Sequence, residues 1–365
     1  MKYALITTTI NIPKLLDDYL ENAVNNNIDE IIVIVIGDKK TPTPAEAFCD
    51  DLKQKYPFVI EYYSPEKQLT YLENFPELRD HLPWNSIQRR NIGLLRAYEY
   101  GAEIIITIDD DNYVIQKNYF DCFKMIGESE SIQAVQANNG WFNVCSFLKE
   151  ESGTKFYHRG YPASLRGIES TAEYTWINMT GRSMVIGGLW MEDPDVDAVQ
   201  RLACPVRVIN YEREDNFALA PNTWSPFNSQ NTGIHRDVIP SYFLSPNVGR
   251  YDDIWASYIV RRIADHLGDI ISFGNPLVRQ DRNPHNYFKD LDKERPGMEM
   301  TERVCDFLRQ TKLEGTNYQE CFAEIIAAAD SWTQNALWTD TEKIYLAQWF
   351  DGCKIWKKTF EKLKS

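Results

Sequence analysis

The segment Glu-Ile-Ile-Ile-Thr-Ile-Asp-Asp-Asp-Asn, residues 103–112, runs from an apolar stretch directly into three carboxylates. A run of isoleucine and threonine of this length, ending in acids, is typical of a buried parallel strand. Ligands of open α/β sheets bind just beyond the carboxyl ends of such strands. Three adjacent acids repel one another, and Mg²⁺ or Mn²⁺, which also binds substrate phosphates, would relieve the repulsion. The segment therefore indicates either a metal–diphosphate site at Asp109, Asp110 and Asp111 or a solvated acidic turn.

The chain before this segment alternates between apolar runs and amphipathic stretches. We predict strands at residues 3–9, 30–36 and 58–63, and helices at about 14–25, 45–55 and 85–100. This alternation is typical of a parallel, Rossmann-like α/β layer that binds a nucleotide. The sequence has neither Gly-x-Gly-x-x-Gly in the first turn nor a Walker lysine motif, which argues against dinucleotide and P-loop folds. The predicted fold class is α/β with a glycosyltransferase A-type layout, in which a metal holds the diphosphate.

Polar side chains follow the first two predicted strands. Thr8 and Asn11 come at the end of the first strand and could read a base or a ribose, and Asp38 follows the second. Because the carboxyl ends of parallel strands meet at one edge of a sheet, we assign all three to nucleotide-sugar binding.

The second half of the chain has a different pattern. Strand-like pieces, turns and many aromatic residues alternate from about residue 134 to 246, a helix is predicted at 251–267, and residues 301–365 look helical throughout. We predict a catalytic domain at residues 1–295 and a C-terminal helical cap at residues 296–365.

Composition excludes several classes of binding partner and indicates where the protein is located. The 365-residue chain has a net charge of −14, which argues against nonspecific binding to nucleic acid or to an anionic membrane. Its seven cysteines are scattered and form no Cys-x-x-Cys pair, as expected of reduced thiols. No apolar run approaches the roughly 18 residues that span a bilayer, and no signal-peptide pattern follows Met1. We expect a cytoplasmic protein without membrane insertion.

Three arginines are candidates for binding anions. Arg90 lies on the helix just before the acidic segment, where it could bind phosphate or form a surface ion pair. Arg159 and Arg166 lie in a loop at residues 158–167 that is bracketed by glycine and proline. This loop is either a basic surface loop or an anion clamp.

Two further acids and one histidine complete the set of candidates. Asp252 and Asp253 begin a predicted helix, where they are either caps or a base that could also stabilise positive charge at a sugar C1 atom. His285 follows an Asn-Pro pair and is either a structural histidine or a metal ligand.

Several segments match one family in order. They are Thr107-Ile108-Asp109-Asp110-Asp111, Arg159-Gly160-Tyr161-Pro162 with Ser164-Leu165-Arg166, Gly188-Leu189-Trp190, Asp195-Val196-Asp197-Ala198, Gly249-Arg250-Tyr251-Asp252-Asp253-Ile254-Trp255-Ala256, Asp265-His266-Leu267-Gly268 and Asn283-Pro284. Through them, about residues 85–290 resemble the reversibly glycosylated polypeptides, which include the plant UDP-arabinopyranose mutases, and related bacterial nucleotide-sugar mutases. The first 80 residues and the C-terminal helices are similar only in outline.

The resemblance implies a metal-bound nucleotide sugar and an interconversion of pyranose and furanose rings without flavin. It places Arg159 where the plant proteins carry a reversibly glycosylated arginine, Arg166 at the second loop arginine, and Trp190 among the residues that bind the nucleotide sugar. The chain departs from the family at Leu277-Val278-Arg279, which replaces Trp-His-Ser. The family histidine is thus missing, and His285 is the candidate that would replace it as a metal ligand.

These observations lead to one main hypothesis and two rivals. The main one is a mutase for a nucleotide sugar such as UDP-arabinose or GDP-fucose, with Asp109 and Asp111 on the metal and Arg159, Arg166, Asp252 and Asp253 as catalytic residues. The first rival is a glycosyltransferase that moves the sugar to a separate acceptor. The second is a noncatalytic interaction protein, and a homo-oligomer is left open in each case.

Overall fold

The computed structural model describes residues 1–166, 173–334 and 337–364. Its strands are β1 (Tyr3–Thr8), β2 (Ile31–Ile36), β3 (Val59–Tyr63), β4 (Ile104–Asp109), β5 (Asn112–Val114), β6 (Ser129–Ala137), β7 (Leu148–Glu150), β8 (Tyr174–Glu192), β9 (Val208–Tyr211), β10 (Phe217–Leu219), β11 (Asn231–His235) and β12 (Ile270–Gln280). Its α-helices are α1 (Leu16–Asn25), α2 (Pro44–Lys55), α3 (Pro65–Leu72), α4 (Pro76–His81), α5 (Arg90–Glu99), α6 (Ala198–Ala203), α7 (Asp252–Leu267), α8 (Tyr287–Gln310), α9 (Tyr318–Thr333) and α10 (Asp340–Lys364). The predicted loop at 158–167 is described up to Arg166, and residue 167 lies outside the described part.

The first half of the chain forms a parallel sheet in the order β3-β2-β1-β4. Every residue of β2 is buried, as expected of a strand with helices on both faces. In the β1–β4 register Thr8 is opposite Asp109, and in the β1–β2 register it is opposite Ile36. The carboxyl ends of β1, β2 and β4 therefore lie side by side. The predicted α/β class with a parallel layer at the start of the chain is confirmed.

The predicted helix at residues 85–100 begins later than expected. Asn85 has a φ of 54°, which a right-handed helix cannot contain, and a short 3₁₀ turn, Ile87–Arg89, precedes α5. Helices α3 and α4 are not predicted from the sequence. A proline occupies the first turn of each, and the Ser64 hydroxyl accepts a hydrogen bond from the amide of Lys67 at the start of α3.

The long strand β8 joins the parallel layer to the rest of the sheet. Its first part pairs antiparallel with β6 along Ser129–Ala137, and from Ser183 onward it pairs parallel with β12. Its central residues also pair with β11, which itself pairs antiparallel with β4. The mixed sheet thus extends without interruption from the acidic strand end to the segment after β12.

The C-terminal helices pack against the rest of the core. The indole nitrogen of Trp356 in α10 donates to the carbonyl oxygen of Ile239 at 3.1 Å, and that of Trp255 in α7 donates to the hydroxyl of Thr301 in α8 at 3.0 Å. Gly297 of α8 faces Tyr251, where an added Cβ would come within 2.2 Å of the ring. Helix α8 runs through the boundary placed between residues 295 and 296, and the division into two domains stays a prediction.

One finding bears on membrane insertion. Across residues 1–166, 173–334 and 337–364, no helix combines the length and the apolar character needed to cross a bilayer.

Candidate functional site

A cleft of about 790 Å³ lies at the carboxyl ends of β1, β2 and β4. The predicted site residues that line it are Thr8, Asp38, Asp109, Asp110, Asp111, Arg159, Asp252, Asp253 and His285. The remaining predicted residues, Asn11, Arg90, Arg166 and Trp190, stand behind the wall or away from it. The fold therefore brings the acidic segment together with residues more than a hundred positions further along the chain.

Asp109 is held from behind by Arg90. The guanidinium of Arg90 is fully buried and donates to Oδ1 of Asp109 at 2.5 Å and to the backbone oxygen of Ile108 at 3.1 Å. It also donates to the hydroxyl of Ser229 at 2.8 Å. Arg90 thus fixes the strand end that carries the acids, and it does not itself face the cleft.

Asp110 and Asp111 are bound by amides from two sides of the cleft. Oδ2 of Asp110 accepts from the hydroxyl of Thr9 at 2.7 Å and from the side chain of Asn11 at 3.1 Å. Oδ2 of Asp111 accepts from the backbone amide of Asn283 at 3.1 Å, and its Oδ1 accepts from Gln280 at 3.3 Å. Burial and the neighbouring charge of Asp109 raise the pKa of Asp111 to about 6. The acidic segment thus holds more negative charge than its protein partners neutralise.

Asp38 holds the opposite wall of the cleft. Its Oδ1 accepts from the backbone amide of Lys39 at 2.7 Å, and its Oδ2 accepts from that of Ser86 at 3.1 Å. Oδ1 thus fixes the local turn after β2, and Oδ2 connects the end of β2 to the segment that precedes α5.

Arg159 lies between two carboxylates and has no free donor. Asp195 accepts from Nε and from one terminal nitrogen, both at 3.0 Å, and Asp253 accepts from both terminal nitrogens at 3.1 and 3.2 Å. The fifth N–H donates to the backbone oxygen of Arg250. A guanidinium has five N–H donors, so each one is used. Although burial alone would lower it, the two carboxylates raise the pKa of Arg159 well above its ordinary value.

The adjacent acids at the start of α7 have different surroundings. Asp253 also accepts from the backbone amide and the hydroxyl of Ser229, at 3.0 and 3.1 Å. Asp252 accepts from the side chain of Gln88 at 2.7 Å. Burial and the charge of Asp253 raise the pKa of Asp252 to about 7. Asp252 is therefore suited to exchange a proton near neutral pH.

Gly249 sets the position of these two acids. It has a φ of 60°, and an added Cβ would come within 2.2 Å of the backbone oxygen of Lys293. Only glycine fits this turn without moving α8 away from the start of α7.

Arg166 and Trp190 lie outside the cleft wall. Arg166 forms an ion pair with Asp197 and donates to the backbone oxygen of Tyr161 at 2.8 Å. Trp190 is buried in β8, with its ring centre 5.2 Å from that of His158, the residue before Arg159. Both residues therefore support the arginine loop in this structure.

Comparison with known proteins shows the family of the chain. The family model described as "Reversibly glycosylated polypeptide" matches residues 76–364. The chain belongs to this family. The resemblance predicted from the acidic segment, the arginine loop and the start of α7 is thereby confirmed.

Individual relatives are more distant. The chain is 28% identical over 229 residues to UDP-arabinopyranose mutase 2 of Arabidopsis thaliana. The matched region covers 60% of this chain and 59% of that protein. It is 29% identical over 234 residues to the probable UDP-arabinopyranose mutase 1 of Solanum tuberosum, with the same two shares. The chain thus matches less than two thirds of the length of these family members.

The chain also matches solved structures, at low similarity. One is S. aureus TarS 1–349, with a TM-score of 0.43 and 11% identity, covering 99% of this chain and 91% of that one. Another is glucosyl-3-phosphoglycerate synthase from Mycobacterium tuberculosis in complex with Mn²⁺, UDP-glucose and phosphoglyceric acid, with a TM-score of 0.41 and 12% identity, covering 84% and 80%.

Several residues of the site were not singled out from the sequence. Asp195, which holds Arg159, belongs to one of the segments shared with the family, and that was the available signal. Gln280 ends β12, Arg282 and Asn283 follow it, and all three line the cleft beside Asp111. Arg282 has no sequence signal of its own, because an isolated arginine is most often a surface residue.

The donors at the acidic end are of the kind that a hard divalent cation prefers. Oδ1 of Asp109 is bound by Arg90, and its Oδ2 has no hydrogen-bond partner among the described residues. His285 lines the same cleft, and its Nδ1 is 2.9 Å from Asp290. In the part of the chain that the structure describes, no three His, Cys, Asp or Glu side chains form a ready metal cluster. The acidic segment thus has the charge and the donor type that suit a divalent metal, but the structure does not assemble Asp109, Asp111 and His285 into a three-ligand site.

Proposed function

We propose that the protein is a nucleotide-sugar mutase that interconverts the pyranose and furanose forms of its substrate. The observation that carries the proposal is the cleft in which the acidic segment faces Arg159 and its two carboxylates. UDP-arabinose is the first candidate substrate because the family members that the chain matches are named as UDP-arabinopyranose mutases. A GDP-deoxysugar such as GDP-fucose is the second.

The acidic end of the cleft would hold the diphosphate. Asp109 and Asp111 would bind Mn²⁺ or Mg²⁺, with His285 as the candidate third ligand, and the ion would neutralise charge on the leaving diphosphate. Arg90 keeps Asp109 in place from behind. The metal, its third ligand and the absence of flavin are parts of the proposal.

The sugar would lie against Arg159, Asp195 and Asp253. When the bond between C1 and the diphosphate oxygen breaks, the electron pair leaves with the diphosphate and C1 gains positive charge. Asp253 lines the cleft as a fixed carboxylate and would stabilise that charge. Arg159 would orient both acids.

Ring exchange needs a group that takes up one proton and returns it. In the pyranose-to-furanose direction, O4 bonds to C1 and loses its proton, the C1–O5 bond breaks, and O5 gains a proton. The diphosphate oxygen then bonds to C1 again, so substrate and product are isomers. Asp252 would accept the first proton and supply the second, which its pKa of about 7 supports.

The occupied donors of Arg159 support a route without a covalent glycosyl-arginine. A guanidinium must lose a proton before its nitrogen can attack C1, and both flanking carboxylates stabilise the protonated form. A covalent route would require Arg159 to give up at least one of its five hydrogen bonds.

The test is an incubation of the full chain with Mn²⁺ and a panel of UDP- and GDP-pyranoses, without an acceptor, followed by chromatography. We expect one new nucleotide furanose, which disappears with EDTA and in Asp111→Ala. Free nucleotide, or no change across the panel, would contradict the mutase and favour the glycosyltransferase alternative.

A further inference from the structure

The cleft contains two arginines whose terminal amino groups are not used up by the protein. They are Arg250, just before α7, and Arg282, just after β12, and both line the cleft. Neither belongs to the set of residues to which the proposed function assigns a role.

Arg282 is anchored through its inner end. Its Nε donates to Oδ2 of Asp193 at 3.0 Å, and one terminal nitrogen donates to the side chain of Gln280 at 3.2 Å. Only 9% of the side chain is exposed. These two bonds use two of the five N–H donors, and the other three form no hydrogen bond to the described residues.

Arg250 is anchored in the same way. Its Nε donates to Oε1 of Glu294 at 2.9 Å, and its nearest other carboxylate oxygen, on Asp290, is 3.8 Å away. Glu294 is itself buried and accepts from the backbone amide of Ala198 at 2.7 Å, so the anchor is rigid. In both arginines a carboxylate binds Nε, and among the described residues three terminal N–H donors of Arg282 and four of Arg250 remain without a hydrogen-bond partner.

The two arginines are close enough to affect each other. Burial and the positive charges of Arg201 and Arg250 lower the pKa of Arg282. The charge of Arg282 in turn acts on Asp111 at the acidic end. An anion bound between them would offset the repulsion that remains between the two guanidinium groups.

A nucleoside diphosphate presents the matching chemistry. A guanidinium fork binds two phosphate oxygens in one plane, and two forks can hold both phosphates. Arg159 differs because its five donors are already occupied. We propose that Arg250 and Arg282 form an arginine pair that binds the diphosphate of the substrate, in addition to the acidic site at residues 109–111.

This inference rests on the proposed function for the identity of the substrate and goes further by naming the residues that recognise its diphosphate. Asp193 is a positioning residue in this scheme. Its Oδ1 accepts from Arg201 at 2.6 Å while its Oδ2 holds Arg282, so it orients the fork without reaching the ligand.

The test is calorimetric titration of the full chain with UDP and with UMP, at fixed Mg²⁺ and again in EDTA. Arg282→Gln should weaken UDP binding by about 10- to 100-fold, as expected for lost charge-assisted hydrogen bonds, and should weaken UMP binding by less. The matched control is Arg279→Gln, which removes the same charge three residues earlier, from a side chain that is 46% exposed and paired with Asp281. It should leave both affinities within about twofold, in line with a surface pair.

Two further variants keep the test informative if Arg282→Gln does not fold. Arg282→Lys keeps the charge beside Asp193 but lacks the fork, and should weaken UDP binding by about fivefold to tenfold. Asp193→Asn should also weaken UDP binding, and by less than Arg282→Gln, because the guanidinium charge is kept while its orientation is lost.

The outcomes separate this inference from the proposed function. If Arg282→Gln and Arg282→Lys bind UDP as tightly as Arg279→Gln, the arginine pair is wrong, even if the protein forms a furanose. If the arginine variants lose UDP binding while the wild type forms no furanose from any sugar tested, the arginine pair stands and the mutase is wrong.

Discussion

Asp252 and Asp253 are neighbours in the chain, yet the site gives them different tasks. Asp253 is bound by Arg159 and Ser229, whereas Asp252 has one side-chain donor, from Gln88, and a pKa raised to about 7 by burial and by Asp253. A carboxylate fixed by cationic and amide donors can stabilise charge, and one with a pKa near neutrality can move a proton.

Asp252→Asn should therefore lower kcat by about 10²- to 10⁴-fold, which is the usual contribution of a general acid–base group. Substrate binding should be largely kept because the amide still accepts from Gln88. In the wild type kcat/KM should rise as pH increases through about 7, where Asp252 becomes ionised and can accept a proton. Initial rates from pH 5 to 9 check this, and an unchanged profile in the variant would contradict the assignment.

The same substitution should lower activity but raise the thermal stability of the protein. The native pKa of Asp252 lies above its ordinary value of 3.8, so the neutral acid stabilises the native state at low pH, and this stability is lost as pH rises through about 7. Asp252→Asn should raise Tm by roughly 2–4 °C at pH 8 and by less at pH 5. Thermal scans at the two pH values measure it, with the exposed Asp281→Asn as the control.

The donors of Arg159 lead to a prediction about covalent intermediates. Because all five N–H groups are bound, a sugar adduct should amount to far less than one per chain during turnover. Acid-quenched samples analysed by intact-protein mass spectrometry measure the adduct. A stoichiometric adduct that disappears in Arg159→Lys would contradict the noncovalent route while leaving the mutase in place.

At the level of single residues, the sequence predicted site residues where charged side chains occur in a recognisable local pattern. Three acids after a strand, an arginine just before a glycine, and paired acids at a helix start mark residues that the structure places in one cleft. The sequence singled out Arg90 as an anion-binding candidate and did not single out Arg282. One is fully buried behind Asp109 and the other faces the cleft, and only the packing of distant segments decides between them.

At the level of elements, the start of α7 depends on the turn at Gly249. The positive φ and the close contact with the backbone oxygen of Lys293 leave no room for a side chain. The four parallel strands were predicted to within about two residues of their observed bounds because their apolar runs are continuous. The bounds of strand β8 were not predicted. Its first part pairs with β6 and its second part with β12, so the two parts share no single sequence pattern.

Gly249→Ala should destabilise the protein by more than about 2 kcal/mol, since it adds a steric clash to backbone strain, and should lower kcat by moving Asp252. The control is Gly153→Ala, which also has a positive φ, of 77°, but has no atom within 4 Å of an added Cβ. That change should cost only about 1 kcal/mol and leave activity intact. Urea unfolding and initial rates compare the two, and equal losses would show that the contact with Lys293 does not matter.

At the level of the whole molecule, the C-terminal helices share one core with the sheet. Trp356 of α10 is fully buried and stacks on Phe243, with ring centres 5.3 Å apart. The helical character of this region was predictable from its periodicity. How it packs was not, because its partners lie in a segment without a clear pattern.

Trp356→Ala should accordingly destabilise the whole protein by about 3–5 kcal/mol, and fluorescence and catalytic activity should be lost in one transition. Phe288→Ala, at a side chain that is 71% exposed, should change stability by less than about 0.5 kcal/mol. Two separate transitions in the wild type would favour an independent C-terminal domain near residue 296.

The proposed mutase rearranges the sugar of its own nucleotide substrate and needs no acceptor. Proton NMR can follow purified protein with Mn²⁺, starting in one tube from UDP-arabinopyranose and in another from UDP-arabinofuranose. Both tubes should reach the same ratio of pyranose to furanose while total nucleotide sugar stays constant. Release of UDP in either tube, or conversion in neither, would contradict it.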